Sequence, residues 1–252
     1  MFKKQKIVLL LVLLLSISGI GYWTYDSNRQ KGEVLYMGFE PQVPEGWKRP
    51  DGPIKIGLQV GHYKRLEMPD EFSNIRDNGG GTSGLGRTEW EVMLVIAEET
   101  KEILEEEGYE VDILPATVPK DYWADAFISI HADGNLDNSI SGYKVAPYAR
   151  DRTSLADILS KDIEKTYGEE TELPRDPNIT RNMTRYYSFN SRKYDHAIHE
   201  MTPGVIVETG FLTNRSDAEF LINNPKVSAK GIALGIINFI NENIEIDIEI
   251  DS

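Results

Sequence analysis

Ala126-Phe127-Ile128-Ser129-Ile130-His131 is a short apolar run closed by an imidazole, and two other runs in the chain have the same form. Ile54 to Val60 leads through Gly61 into His62, and Val205-Ile206-Val207 ends on Glu208. Runs of this length, rich in β-branched residues, read as strands buried on both faces. Ligands bind at the carboxyl edge of open α/β sheets, and each of these runs delivers a titratable group to that edge. A lone histidine at a strand end is ordinarily a hydrogen-bonded structural residue. Three such groups at one edge point to a site.

Outward from these runs the pattern alternates. After a glycine-rich loop, a helix is predicted from Glu89 to about Glu107, ended by Gly108 in the position where a left-handed residue stops helices. Tyr109 to Leu114 and Gly142 to Ala146 are further strands, and helices are predicted over 151–167, 216–222 and 226–243. The order implies an α/β fold: a mostly parallel or mixed sheet with helices on both faces, in a single catalytic domain over residues 54–243. No internal repeat marks a second module.

The chain has 252 residues and no cysteine, so disulfides, thiolate ligands and a thiol nucleophile are excluded. A metal site here must use histidine and carboxylate. Two histidines without cysteine need one carboxylate to complete the common catalytic zinc set of three protein ligands. Glu89 and Glu91 compete for that place. Thr88-Glu89-Trp90-Glu91 fits a capping box, which commits Glu91 to the Thr88 amide and leaves Glu89 free to turn toward the sheet edge. The alternative for Glu89 is simple complementation of the helix dipole.

Gly61-His62, Gly86-Arg87-Thr88-Glu89, the run Ala124 to Ala132 and the run Pro203 to Asn214 together resemble the zinc-dependent N-acetylmuramoyl-L-alanine amidases of the type-3 family. The resemblance spans about residues 54–243, with the motifs in the right order. It implies an α/β sheet enzyme that cleaves the amide between N-acetylmuramic acid and L-alanine in peptidoglycan. Carried over motif by motif, it implies zinc on His62, Glu89 and His131, with Glu208 as the catalytic carboxylate. The chain departs from the family's Asp-Pro-Gly-His-Gly, reading Gln59-Val60-Gly61-His62-Tyr63 and placing a bulky Tyr63 beside the site. Met93 stands where asparagine is common, and Asp133 follows His131-Ala132 where asparagine is usual. Two other readings use the same residues: another zinc peptidase acting on cell-wall stem peptides, and a catalytically silent peptidoglycan-binding regulator. A protein activator is a further expectation that the sequence does not identify.

Other polar residues carry weaker signals. His196 and His199 are spaced i, i+3 without an acid-and-strand frame and read as surface or lining residues. Gly79-Gly80-Gly81 lacks the Lys-Ser/Thr of a phosphate loop. The connection from Tyr63 to Arg87 is long enough to wall a groove. Arg181, Arg185 and Arg192, with Tyr186 and Tyr187, are candidates for contacts to peptide carboxylates. Asn214 and Ser216 read as a helix cap.

At the N-terminus Lys3, Lys4 and Lys6 precede an apolar run from Ile7 to Trp23, near the roughly 20 residues that span a bilayer. Residues 1–30 are expected to be a signal anchor or signal peptide, making the protein extracytoplasmic, either membrane-anchored or secreted. Residues 31–53, with four prolines, read as an extended linker, and 244–252 as an acidic tail. The formal charge is −14; without residues 1–30, which hold four Lys/Arg and one acid, it is −17. Such a surface disfavours nucleic acid as a partner.

Overall fold

The computed structural model describes residues 43–244. In chain order the elements are β1 (Lys55–Val60), α1 (Ser73–Asn78), β2 (Ser83–Gly84), β3 (Arg87–Thr88), α2 (Glu89–Glu106), β4 (Glu110–Leu114), β5 (Ala126–Asp133), β6 (Lys144–Pro147), α3 (Leu155–Thr171), α4 (Arg181–Thr184), β7 (Gly204–Phe211), α5 (Arg215–Asn223) and α6 (Pro225–Asn243). The sheet order is β4-β1-β5-β7-β6, with the first four strands parallel and β6 antiparallel against β7. β2 and β3 form a separate two-stranded hairpin.

Successive side chains of a strand point to opposite faces, and the residues of β1, β5 and β7 sort accordingly. Ile56, Leu58 and Val60, with Ile128, Ile130, Val205 and Val207, enter the larger core beneath α2, α3 and α6. Gly231 and Gly235 let α6 lie close on α3, since a Cβ at Gly235 would stand 2.5 Å from the Ile163 Cα. The opposite face carries Phe127, Ala146 and Ile206 in a smaller core closed by Met183, Phe189 and Ile198. Both faces thus bear helical segments, unequally. Three long helices cover one, and irregular chain with short α4 and the 3-10 turn Tyr187–Phe189 covers the other.

The predicted elements recur with shifted ends. β5 continues to Asp133 and β7 to Phe211, so His131 and Glu208 lie inside paired strand. The helix expected from Asp151 begins at Leu155, because the Asp151 carboxylate accepts the amides of Thr153 and Ala156 and makes the preceding residues a turn. Gly108 does follow α2 with φ +89°.

The Tyr63 to Arg87 connection contains two 3-10 turns, α1 and the β2-β3 hairpin. Phe72 anchors it, with ring centroids 5.0 Å from Tyr187 and 4.7 Å from Tyr194. The last stretch of the expected linker is fastened to the domain: Arg49 Nε and Nη2 donate to the two oxygens of Asp125 at 2.6 and 2.8 Å. Among the described residues no helix is long and apolar enough to cross a membrane. The expected segment at 1–30 and the tail from 245 onward lie outside the described residues.

Candidate functional site

Register places the key groups before any side-chain contact is considered. His131 of β5 pairs with Glu208 of β7, which pairs with Lys144 of β6, so one row across three strands presents imidazole, carboxylate and ammonium on the face opposite the long helices. The adjacent row is Gln59, Ser129, Ile206 and Ala146. His62 follows β1 through Gly61 and sits in a left-handed turn at φ +61°. Glu89 opens α2 and is 3% exposed. The capping box is present: the Glu91 carboxylate accepts the Thr88 amide at 2.8 Å and the Thr88 hydroxyl at 2.7 Å, while Glu89 turns inward.

The Glu89 carboxylate lies between two imidazoles. Its Oε1 is 2.8 Å from His131 Nδ1, and its Oε2 is 3.5 Å from His62 Nε2. Ligand atoms of the three residues all lie within 4.8 Å of one another, the spacing of a metal-binding set. Two close approaches are built around them. A Cβ on Gly61 would overlap the His131 ring, and one on Gly81 would stand 2.9 Å from Glu89 Oε2 and 3.0 Å from the His62 ring.

The far edges of both rings are committed. His62 Nδ1 donates to the Gly79 carbonyl at 2.9 Å, which leaves Nε2 as a lone pair toward Glu89. His131 Nε2 meets Tyr186 Oη at 3.0 Å. Tyr186 donates to Tyr187 Oη at 3.1 Å, and Tyr187 donates to the Ala116 carbonyl at 2.7 Å. A carbonyl only accepts, so this chain runs one way: His131 Nε2–H donates into it and Nδ1 faces Glu89 as a lone pair. Two lone pairs and a carboxylate converging at these distances repel unless a proton or a cation lies among them. The donor set therefore fits a metal ion, with oriented partners behind each imidazole.

The electrostatics agree. In the metal-free set burial works against a charged His131, but the hydrogen bond and charge of Glu89, with Glu208 and Asp133 beyond, raise its pKa above the ordinary value. Burial would raise Glu89; His131 and His62 outweigh it and hold the carboxyl below its usual range. Burial lowers His62. Glu208 differs from Glu89: its Oε2 is buried with no hydrogen-bond partner, and burial, reinforced by Glu89 and Asp133, pushes it up to about 8 against the opposing charges of His131 and Lys144.

These residues open into a cleft of about 670 Å³ lined by His62, His131 and Glu208 together with Arg65, Arg185 and Tyr186. A second arm of about 490 Å³ meets it at the same three residues and Asp133 and runs past Thr82, Asn135 and Leu136. All four residues singled out in the sequence are thus brought together.

The departures from the family pattern find places. Tyr63 stacks on Trp90, with centroids 5.7 Å apart, and lines neither arm. Gln59, fully buried, donates to Ala116 O and Ser188 Oγ and accepts from Ser129 Oγ, which fixes the carbonyl on which the tyrosine chain ends. Asp133 is ion-paired to Lys144 at 2.6 Å. Met93 is buried and its sulfur accepts the Thr209 hydroxyl at 3.4 Å.

Tyr186 and Tyr187 lie beneath the metal-ligand candidates as hydrogen-bond partners, a role the sequence reading missed because their partners are about 55 to 70 residues away in the chain. Arg65 and Lys144 carried no local signal at all. His196 bonds Glu71, and His199 accepts the Met201 amide; neither joins the metal set. Asn214 does cap α5, accepting the amides of Ser216 and Asp217.

The sequence profile of the N-acetylmuramoyl-L-alanine amidases of the type-3 family matches residues 56–238. No curated protein matches the chain. Among solved structures it is similar to the N-acetylmuramoyl-L-alanine amidase AmiC2 of Nostoc punctiforme, with TM-score 0.54 and 20% identity over 76% of this chain and 99% of that one. The catalytic domain of CwlV from Bacillus (Paenibacillus) polymyxa var. colistinus gives TM-score 0.51 and 18% identity over 75% and 98%. The amidase Ami1 of Mycobacterium smegmatis gives 0.53 and 16% over 75% and 97%. At these identities the three structures share the fold.

Proposed function

The chain belongs to the type-3 family of N-acetylmuramoyl-L-alanine amidases, and from that premise we propose that it hydrolyses the muramoyl–L-alanine amide of peptidoglycan with zinc on His62, Glu89 and His131 and with Glu208 moving the proton. One observation carries this reading: the three donors converge beside a buried carboxylate oxygen, on Glu208, that no protein group satisfies.

Zinc in this set would polarise the scissile carbonyl and lower the pKa of a water toward ~7. The chain's own residues supply the rest. The ionised form of Glu208, whose carboxyl is pushed up to about 8 and is therefore basic enough to take a proton near neutral pH, accepts a proton from the attacking water and delivers it to the leaving nitrogen of L-alanine, so that neither proton transfer waits on solvent. Its position beside His131 on the neighbouring strand fixes its carboxylate at the edge of the donor set. Gly79 O and Tyr186 hold the two imidazoles in the ligating tautomer.

The substrate lies outside the cytoplasm, which fits a secretory or anchoring role for residues 1–30, a tether over 31–53 and an acidic tail over 244–252, around the catalytic domain 54–243. Digestion of purified peptidoglycan by the protein, with products read by mass spectrometry, tests the function. The expected products are free stem peptides beginning at L-alanine, lost with a chelator and restored by zinc. Cuts within the peptide would replace this reading by that of a stem-peptide peptidase, and zinc binding without cleavage by that of a silent regulator.

A further inference from the structure

The two arms that meet at the donor set differ in charge. The larger arm carries two guanidinium groups, Arg65 and Arg185, among neutral groups such as Asn74, Thr180 and Asn182. The smaller arm, running past Gly81, Thr82, Gly134, Asn135 and Leu136, contains no lysine or arginine. The carboxylates near the junction are Glu89, Glu208 and Asp133, and Asp133 is neutralised by Lys144.

Among the described arginines Arg49, Arg76, Arg152, Arg175 and Arg215 pair with Asp or Glu, and Arg65, Arg87, Arg150, Arg181, Arg185 and Arg192 do not; of these six, Arg65 and Arg185 line the cleft at the donor set. Arg65 and Arg185 belong to no ion pair among the described residues. Nη1 of Arg65 is, in addition, buried with no hydrogen-bond partner, and leaving such a donor unmade is costly unless a ligand completes it. Arg65 lies three residues beyond His62, and Arg185 directly precedes the Tyr186 that supports His131, so both cations are tied in sequence to the metal-ligand candidates.

We infer that Arg65, with Arg185 as a second cation, forms a carboxylate site for the stem peptide beyond L-alanine, and that the muramoyl side of the substrate occupies the arm that holds no lysine or arginine. This deepens the amidase reading and rests on it. The chemistry decides the polarity. The lactyl carboxyl of the sugar is consumed in the scissile amide and carries no charge, whereas the peptide beyond L-alanine offers free carboxylates. A guanidinium fork is matched to such a group in geometry and sign. The acidic bulk of the protein then leaves the cationic arm as the place where an anionic peptide is accepted.

The test uses two soluble muramoyl-L-alanyl peptides, both amidated at the C-terminus, that differ only in whether the carboxyl nearest L-alanine is free or a carboxamide. The zinc-loaded protein is expected to show a KM for the carboxylate form about 10-fold or more below that for the carboxamide, from the strength of a charged hydrogen bond. Arg65→Gln is expected to bring the two KM values within about 2-fold while zinc content and kcat stay near those of the unsubstituted protein; Arg185→Gln narrows the gap less. Equal KM values for the two peptides on the unsubstituted protein overturn the inference, as does an unchanged preference in both variants. Should Arg65→Gln not fold, Arg65→Lys and Arg185→Gln decide, together with the peptide pair on the unsubstituted chain. Calorimetric binding of the same two peptides separates the two claims. Selective binding of the carboxylate without cleavage supports the carboxylate site and counts against the amidase reading, whereas cleavage of both forms at equal KM does the reverse.

Discussion

Tyr186 Oη stands 3.0 Å from Nε2 of His131, and through that contact it sets which nitrogen of the ring faces Glu89. Burial keeps the Tyr186 hydroxyl protonated by raising its pKa well above 10, and likewise pushes Tyr187 up to about 12, so both remain donors that pass their protons toward Ala116 O. Tyr186→Phe removes the acceptor for the Nε2 proton. The expected outcome is a fall of about 10–100-fold in zinc affinity, read by competition with a chromophoric chelator, with turnover per bound zinc much less affected. Unchanged affinity would mean that the ring needs no such partner.

A second prediction separates Glu208 from the metal ligands. Glu208→Gln keeps the shape of the side chain and removes its proton-accepting capacity, so one zinc per chain should remain bound while kcat/KM falls by about 10²-fold or more. Loss of zinc in this variant would make Glu208 a ligand instead.

The same group predicts a pH dependence of stability in the metal-free protein. Burial raises the Glu208 carboxyl to about 8 in the fold, against an unfolded value near 4.5. The folded state then binds more protons than the unfolded state between these limits. Stability from this group is accordingly full below about pH 4.5 and is lost as pH rises toward 8, by at most about 1.4 kcal/mol per pH unit. Glu208→Gln should flatten that slope, so that with chelator present its Tm at pH 8 exceeds that of the unsubstituted protein. An identical Tm–pH curve for both would show that the carboxyl is not raised.

Much of this was legible in the sequence because strands buried on both faces are written as uninterrupted apolar runs. The runs ending near His62, His131 and Glu208 are strands that share one edge, and the conflict between Glu89 and Glu91 was resolved by a local rule, the capping box. What the sequence hid depends on contacts far apart in the chain. Lys144 lies inside the strand expected from Gly142 to Ala146 with nothing local to mark it, yet register sets it beside Glu208 and 2.8 Å from Asp176. Tyr63 reads as an obstruction beside a ligand, but the left-handed turn at His62 sends it to Trp90. The unequal covering of the two sheet faces was also hidden, since the 63–87 and 176–202 connections have no long-period pattern to announce which face they close.

Gly61 provides a test of how tightly the backbone is drawn against the donor set. A methyl group there would overlap the His131 imidazole, which is itself held between Glu89 and Tyr186 and has no free direction in which to move. Gly61→Ala should therefore displace His131, destabilise the fold through overpacking by about 1–3 kcal/mol, read as a lower Tm, and weaken zinc binding by more than 10-fold. Gly80→Ala, where a Cβ would meet nothing within 4 Å, is the control and should leave both unchanged. Equal behaviour of the two variants would count against the close approach.

Lys144 bridges Asp133 at 2.6 Å and Asp176 at 2.8 Å, with its side chain only 4% exposed and its ammonium 5.2 Å from the centre of the Phe211 ring. Burial disfavours the charged lysine, but the two carboxylates outweigh it and raise its pKa, so Lys144 stays charged across neutral pH. Removing the cation alone strands two acids, the partly exposed Asp133 and the largely buried Asp176, beside Glu208. Lys144→Met should destabilise the fold by about 3–5 kcal/mol, the cost of an uncompensated buried charge, which at this chain length lowers Tm by roughly 10 °C. Adding Asp133→Asn and Asp176→Asn to Lys144→Met removes the charges left behind and should recover most of that loss. A triple variant no more stable than Lys144→Met would locate the effect in packing against Phe211, because packing is the one contribution of Lys144 that the two asparagines leave unrestored.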